Sequence, residues 1–187
     1  MIKYSKENLK GLIEPYLYQQ LDQEEYLLEN LDPYELISKS RFDLNAKLLF
    51  LDGFNRNNYD YEDLYYSFIN AFTLGTFNEP GNINKNSFEI FKSTFKNIFN
   101  SINNEEFNNN KSIIPISREG IILNGSHRLA AAIKLKKRVT CIRLDIKAPC
   151  YDFKFFKNRQ VSNDFLDQCA MKQIMISQDI FTAIIWP

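Results

Sequence analysis

Hydrophobic residues in the first part of the chain recur at helical spacing. Between Leu9 and Leu31 they mostly lie three or four positions apart, with Glu and Gln between them, while Pro15 and Pro33 mark helix starts or breaks. The pattern predicts that residues 1 to about 38 are helical. Two further helices are expected over the segments SRFDLNAKLLFLDGF and Tyr61 to Phe72.

The pattern changes after residue 74. Gly75 to Lys85 is a predicted loop because of its Gly, Pro and Asn content, and Ser87 to Ile102 is a predicted amphipathic helix. The remaining apolar runs predict three strands, which are Ile113–Ile116, Ile121–Leu123 and Val139–Leu144. They also predict two helices, which are His127–Leu135 and Asp164–Ile174. We therefore predict an α+β protein with a small mixed sheet, in which a helical region, residues 1–74, packs on a core of residues 75–187.

Charge and composition restrict the classes of function. The 187 residues include 23 Lys and Arg, 23 Asp and Glu, and one His. A formal charge of zero removes the diffuse attraction behind non-specific nucleic-acid binding, so a nucleic-acid partner is disfavoured. Three Cys without CxxC spacing do not form an ordinary zinc site with one His, and they fit free thiols in a reducing cytosol. With no apolar run long enough for a membrane span, the expected location is cytoplasmic.

The strongest local signal is the segment IILNGSHRLAAAIKL, in which a strand meets a helix through a glycine turn. Unpaired N–H groups at a helix start attract anions, and the helix dipole favours the same charge. The turn therefore predicts a phosphate cradle made by Asn124, Gly125, Ser126, His127 and Arg128. The alternative is an ordinary junction, in which Ser126 is only an N-cap and His127 and Arg128 are solvated.

The order of elements around this turn resembles the ParB/sulfiredoxin superfamily. That family has a helix, then a strand that contains Pro, and then a strand that ends in Gly-x-x-Arg at the start of a second helix. In this chain the first helix ends near Ile102, the Pro-containing strand is I-I-P-I, and the Gly-x-x-Arg segment is Gly125 to Arg128. The resemblance covers about residues 75 to 145 and implies binding of nucleotide phosphates at the turn. Ser126 stands where sulfiredoxins carry the nucleophilic Cys, so sulfinic-acid repair is excluded. The free serine kinase branch fits better than the DNA-binding clamps.

The whole chain also resembles a group of uncharacterised proteins from bacterial capsule and lipopolysaccharide loci. The matching stretches are SRFDLNAK, the Glu79–Lys85 segment, IPI with NGSHRLAAA, and YDFKFFKNR. Where that group usually has Asp, this chain has Asn124, which would be a weaker metal ligand. The resemblance implies a role in surface-polysaccharide synthesis.

A phosphotransferase needs a base, a divalent cation and positive charge near the transferred group. Glu79, in the loop before the amphipathic helix, is the candidate base, and Lys85 and Arg41 are candidate substrate-binding residues. The alternative for Glu79 is a solvated loop carboxylate. Asp43 and Lys47 are four residues apart on a predicted helix, so the simpler interpretation of that set, favoured here, is a surface ion pair.

Together these features predict a nucleotide-dependent small-molecule kinase. It would use ATP or ADP with Mg²⁺ and phosphorylate a hydroxyl of a sugar or amino-alcohol precursor of a surface glycan. Glu79 and His127 are the candidate catalytic residues. The competing hypothesis is a non-catalytic nucleotide-binding regulatory or interaction module, and a ParB-like nucleotide- and DNA-binding protein is a less favoured third.

Overall fold

A four-stranded mixed sheet lies at the centre of the fold. The computed structural model describes residues 2–54, 59–78, 85–105 and 112–177. The strands are β1 (Ile2–Ser5), β2 (Glu25–Leu31), β3 (Ile114–Ile116) and β4 (Val139–Arg143), in the spatial order β1-β2-β4-β3. The pairs β1–β2 and β2–β4 are antiparallel, and β3–β4 is parallel. The prediction of an α+β protein with a small mixed sheet is confirmed.

Seven α-helices accompany the sheet in the described part of the chain. They are α1 (Pro15–Tyr18), α2 (Asp43–Gly53), α3 (Tyr59–Thr73), α4 (Phe88–Asn104), α5 (Ser126–Leu135), α6 (Phe153–Lys157) and α7 (Asn163–Ile176). Two short 3₁₀ helices cover Glu7–Leu9 and Pro33–Leu36. The helices predicted around α2, α3, α4, α5 and α7 are therefore confirmed. None of the described helices combines the length and apolar character that crossing a bilayer requires.

The prediction of a helical N-terminal region is wrong for residues 2–5 and 25–31, which form β1 and β2. In β2 burial alternates along the chain, with Tyr26 and Leu28 buried while Leu27 between them is 46% exposed. That period of two belongs to a strand with one covered face. In the sequence the apolar residues of this segment fit both the helical repeat and the strand repeat of two. Hydrogen-bonded pairing of β2 with β1 and β4 determines that the segment is a strand.

The predicted strand Ile121–Leu123 is also wrong, because only one bridge forms, between Ile122 and Ile116. The chain reverses tightly there: Gly120 has φ +83°, and the N–H of Ser117 donates to the carbonyl of Ile121 at 2.7 Å. A second N–H, from Leu123, donates to the Pro115 carbonyl at 2.8 Å. Because the reversal is so tight, only Ile122 pairs with the neighbouring strand. The chain then continues into the turn before α5.

Helix α2 is surrounded by protein, and this determines where its charged residues lie. Leu44 and Leu48 pack in the cluster formed with the sheet and α5, whereas Ala46 and Leu49 pack against α3, α6 and α7. All residues from 41 to 51 are buried. Because α2 has no solvent face along that stretch, its polar side chains must find partners inside the protein.

The alternation in β2 gives a direct test of the corrected fold. Leu28→Ala should lower the free energy of unfolding by about 2–5 kcal/mol, because it empties part of the core. The neighbouring control Leu27→Ala should change it by no more than about 0.5 kcal/mol, because that side chain lies on the open face. Urea unfolding followed by circular dichroism measures both, and equal losses would contradict the assigned strand.

Candidate functional site

The turn before α5 depends on a glycine for two reasons. Gly125 has φ +93°, a left-handed conformation that side chains rarely adopt. A Cβ at this position would also lie 2.8 Å from Nη2 of Arg128, so the guanidinium packs where any larger residue would clash. Gly125 thus allows both the sharp entry into α5 and the close approach of Arg128.

Arg128 fastens the turn to the N-terminal part of the chain. Its guanidinium donates to Oε1 of Glu14 at 3.0 Å and to the Ile113 carbonyl at 3.1 Å, and it also contacts the Ser112 hydroxyl. Asn124 lies on the same side, where its Oδ1 accepts from the N–H of Gly125 and its amide lies 3.5 Å from the Tyr16 hydroxyl. These two residues of the predicted cradle therefore support the turn.

A buried ion cluster lies on the other side of the turn. The Arg41 guanidinium donates to both carboxylate oxygens of Asp43, at 2.9 and 3.1 Å, and to the carbonyl of Ile122 at 2.7 Å. The Lys47 ammonium lies 2.7 Å from the same carboxylate. These side chains are 4–7% exposed, so the interpretation of Asp43 and Lys47 as a surface ion pair is wrong. The i,i+4 spacing was correct, but α2 is covered on every side.

Pairing inside the cluster keeps Asp43 ionised. Burial favours the neutral carboxyl, but the charges and hydrogen bonds of Arg41 and Lys47 outweigh it and hold the pKa of Asp43 well below its usual range. A bidentate guanidinium–carboxylate pair is the strongest arrangement of this kind. The cluster is therefore charged at every physiological pH.

The ion cluster and the start of α5 line one small pocket. Its lining includes the charged residues Arg41, Asp43 and Lys47 together with Ser126 and His127. The remaining walls are mainly apolar, contributed by Ala46, Tyr65, Phe68, Ile69, Phe72 and Phe91. The pocket has a volume of about 40 Å³. One water needs at least about 10–15 Å³, so the pocket has room for a few water-sized atoms.

Ser126 brings unused hydrogen-bonding groups into this pocket. Its side chain is 7% exposed, and the hydroxyl makes no hydrogen bond to any residue that the structure describes. No side chain caps α5, so the first N–H groups of the helix also lack an intrahelical partner. The interpretation of Ser126 as only an N-cap is therefore wrong, since Gly125 occupies the N-cap position.

His127 is held by an aromatic cage. Its Nε2 lies 2.8 Å from the Tyr65 hydroxyl, and the Phe95 ring meets the imidazole edge-on at a centroid distance of 4.7 Å. Burial, together with the positive charges of Lys47 and Lys85, lowers the pKa of His127 well below its usual value. Its imidazole is therefore neutral at pH 7.

The structure brings together some of the residues predicted for the site and separates others. Arg41, Ser126 and His127 line the pocket, and Lys85 lies beside it with its ammonium 5.1 Å from the ring of Phe91. Arg128 and Asn124 face the N-terminal segment, and Glu79 lies outside the described residues.

Tyr65 belongs to the site, although the sequence alone does not indicate it. It lies on α3, which the sequence marks only as rich in aromatic residues. One of them, Tyr65, is completely buried, and its hydroxyl reaches the only histidine of the chain. A buried tyrosine hydroxyl usually needs a polar partner, but no sequence pattern names that partner.

The cysteines do not contribute to this site. Cys141 and Cys169 are buried free thiols, and burial raises the pKa of Cys141 to about 12. Cys150 is an exposed free thiol. Within the described ranges, no group of three or more His, Cys, Asp or Glu side chains is arranged to hold a metal ion. The expectation of free thiols is confirmed.

The single histidine makes the electrostatics of the pocket measurable. We predict that the imidazole proton signal of His127 titrates well below pH 6.5 in NMR spectra. Lys47→Met should raise the pKa by removing a nearby positive charge, even though Asp43 and Arg128 also act on the ring. Lys134→Met, on the same helix but paired with Asp52, is the control and should leave it unchanged.

The same shift has a consequence for stability. At a pH between about 6.5 and the lower pKa that His127 has in the folded protein, the imidazole is protonated in the unfolded chain but not in the folded protein. The free energy of unfolding therefore decreases as the pH falls through this window. His127→Gln should reduce this loss. A histidine signal that titrates at or above pH 6.5 would contradict the described pocket.

Comparisons with protein-family models, with curated proteins and with solved structures find no match to this chain. The feature of the molecule that bears on function is therefore the pocket between α2 and α5. Its distinguishing chemistry is a buried cluster of two cations and one carboxylate that shares the pocket with the uncapped start of a helix.

Proposed function

We propose that this protein is a nucleotide-dependent small-molecule kinase that binds a nucleotide phosphate in the pocket between α2 and α5. The observation that carries the proposal is the shared lining of that pocket. Arg41 and Lys47 supply buried positive charge on one side, and α5 supplies free N–H groups and the Ser126 hydroxyl on the other. Cations together with a helix N-terminus are typical of phosphate sites.

The pocket is arranged for electrostatic stabilisation. Phosphoryl transfer needs little covalent help from a protein, but it needs fixed positive charge and donors around the equatorial oxygens. Arg41 is held rigid by three hydrogen bonds and acts mainly through its charge. Lys47, Ser126 and His127 lie on the pocket surface, where they would contact the phosphoryl group.

In the proposed reaction an acceptor hydroxyl attacks the terminal phosphorus of the nucleotide. The new oxygen–phosphorus bond forms as the bond to the bridging oxygen breaks, and the shortened nucleotide leaves with that oxygen. Glu79 is the proposed base that accepts the hydroxyl proton. Lys85, whose ammonium lies against Phe91 at the pocket wall, is proposed to bind the substrate.

The described residues fit the phosphate end of a nucleotide but do not fit Mg²⁺. Magnesium is usually held by one or two carboxylates together with phosphate oxygens. Among the residues that the structure describes, Asp43 is the only carboxylate that lines the pocket, and Arg41 and Lys47 already bind both of its oxygens. The pocket is also too small for a nucleoside, so the base and ribose would lie outside it.

The proposed acceptor and setting follow from the resemblance of the chain to proteins of bacterial surface-polysaccharide loci. A hydroxyl of a sugar or amino-alcohol precursor is the corresponding acceptor, and its nucleotide donor is cytoplasmic. The ParB/sulfiredoxin-like superfamily is the proposed fold family. The small mixed sheet and the glycine turn into α5 support this family.

A non-catalytic nucleotide-binding module is the second candidate. It is favoured by the state of Asp43, whose carboxylate is occupied by two cations and so cannot accept a proton from a substrate. Among the described pocket residues no other carboxylate is present. The two candidates differ in turnover, which depends on Glu79 in the kinase only.

The first test is binding of ATP and ADP by isothermal titration calorimetry. Lys47→Met should weaken binding about 10- to 100-fold, the range for loss of a charged hydrogen bond. This variant leaves the bidentate pair of Arg41 and Asp43 intact, so the fold should be retained. Lys134→Met should bind like the wild type. If neither nucleotide binds at millimolar concentration, the proposal fails.

Turnover is tested with the same proteins, radiolabelled nucleotide and a panel of sugar and amino-alcohol precursors. The kinase proposal predicts a phosphorylated product with the wild type. Glu79→Gln should abolish product formation while retaining nucleotide binding. Binding without any product across the panel would support the non-catalytic module.

A further inference from the structure

We propose that this pocket binds a terminal phosphoryl group without any divalent cation, using Arg41 and Lys47 as built-in counter-charges. The inference rests on the proposed function, because it concerns the same pocket, but it changes the chemistry assigned to it. Nucleotide enzymes commonly neutralise phosphate charge with Mg²⁺. Here two permanent cations are already buried at the phosphate position.

The positions of these cations are fixed by the fold. Arg41 is tied to Asp43 and to the Ile122 carbonyl in the turn that leads to α5. Lys47 is one helical turn beyond Asp43, and α2 is buried throughout this stretch. Neither side chain must be ordered or desolvated when a ligand arrives, so the usual costs of organising a charged site are already met in the folded protein.

Asp43 binds the two cations with both of its carboxylate oxygens, so it is not available as a metal ligand. Its two oxygens accept hydrogen bonds from Arg41 and Lys47 at 2.7 to 3.1 Å. A cation at that carboxylate would have to displace one of these partners and would then lie beside the other. Repulsion between like charges in a buried site makes this position unfavourable.

The charge of Lys47 at His127 is consistent with positive potential in the pocket. Beyond burial, the largest influences that lower the pKa of His127 are the charges of Lys47 and Lys85, and these outweigh the opposing effect of Asp43. Burial alone would disfavour any charge, and only the part of the shift that comes from Lys47 and Lys85 reports a positive potential at the ring. Ser126 offers an anion an unused hydroxyl in the same pocket.

The size of the pocket restricts the ligand to a small group. A volume of about 40 Å³ excludes a nucleoside, and the ligand we infer is a single tetrahedral oxyanion, either inorganic phosphate or the end of a nucleotide. The apolar rings of Phe68, Phe72 and Phe91 close the remaining walls. Because the low-dielectric walls strengthen the attraction to the two cations, phosphate should bind here by itself.

The experiment compares binding of inorganic phosphate and ADP in EDTA with binding in millimolar Mg²⁺. Calorimetry gives the dissociation constants, and the NMR signal of His127 shows whether the ligand enters this pocket. We expect each constant to agree within about twofold between the two conditions, and Lys47→Met to weaken binding at least about tenfold in both. Phosphate should also raise the pKa of His127, because it offsets the positive charges.

The possible failures can be distinguished. Binding that is more than about tenfold tighter in Mg²⁺ than in EDTA would overturn the inference and leave the kinase proposal standing. Binding in EDTA that is insensitive to Lys47→Met, or that does not affect the His127 signal, would place the ligand elsewhere and also overturn it. If neither ligand binds in either condition, both proposals fall. Lys134→Met controls for general loss of positive charge.

Discussion

The organisation of the site depends on the carboxylate of Asp43, buried between two cations. Neither Arg41 nor Lys47 would be stable inside the protein alone, because desolvating an unpaired charge costs several kcal/mol. Asp43 makes their burial possible, and the third hydrogen bond of Arg41 reaches the Ile122 carbonyl, three residues before Gly125. One ion cluster at the start of α2, formed by Arg41, Asp43 and Lys47, therefore places positive charge beside the start of α5 and also helps to hold the turn that begins this helix.

The turn is held from its other side as well. Arg128 packs beneath Gly125 and binds Glu14, so the residues of the Gly-x-x-Arg segment have different tasks. The arginine fixes the geometry, while Ser126 and His127 face the pocket. A charged residue next to a phosphate motif need not contact phosphate. In this protein Arg128 is engaged by Glu14 and the Ile113 carbonyl, whereas Lys47, from the distant helix α2, lines the pocket.

The sequence predicted the elements whose signals are local. The helix after Gly125 and the amphipathic helix α4 could be predicted because their signals lie within a few residues of each other. These signals are the capping residue, the glycine turn and the helical repeat of apolar positions. The strand β2 could not be predicted, because the apolar residues Tyr26, Leu27 and Leu28 fit both a helical and a strand repeat. Pairing with β1 and β4 determines that the segment is a strand. Likewise the spacing of Asp43 and Lys47 predicted their ion pair, but their burial depends on how α3, α5 and α7 cover α2. Properties that arise from packing between distant segments have no short sequence signal.

The central claim is that Arg41, just before α2, Lys47, within α2, and the start of α5 form one anion site. The most direct measurement is a crystal structure of the protein soaked with tungstate, whose scattering identifies its position. We expect one tungstate in the pocket, within hydrogen-bonding distance of Lys47 and the Ser126 hydroxyl, and none there in crystals of Lys47→Met. Tungstate bound beside Arg128 on the opposite face of the turn, with the pocket between α2 and α5 empty, would contradict the account.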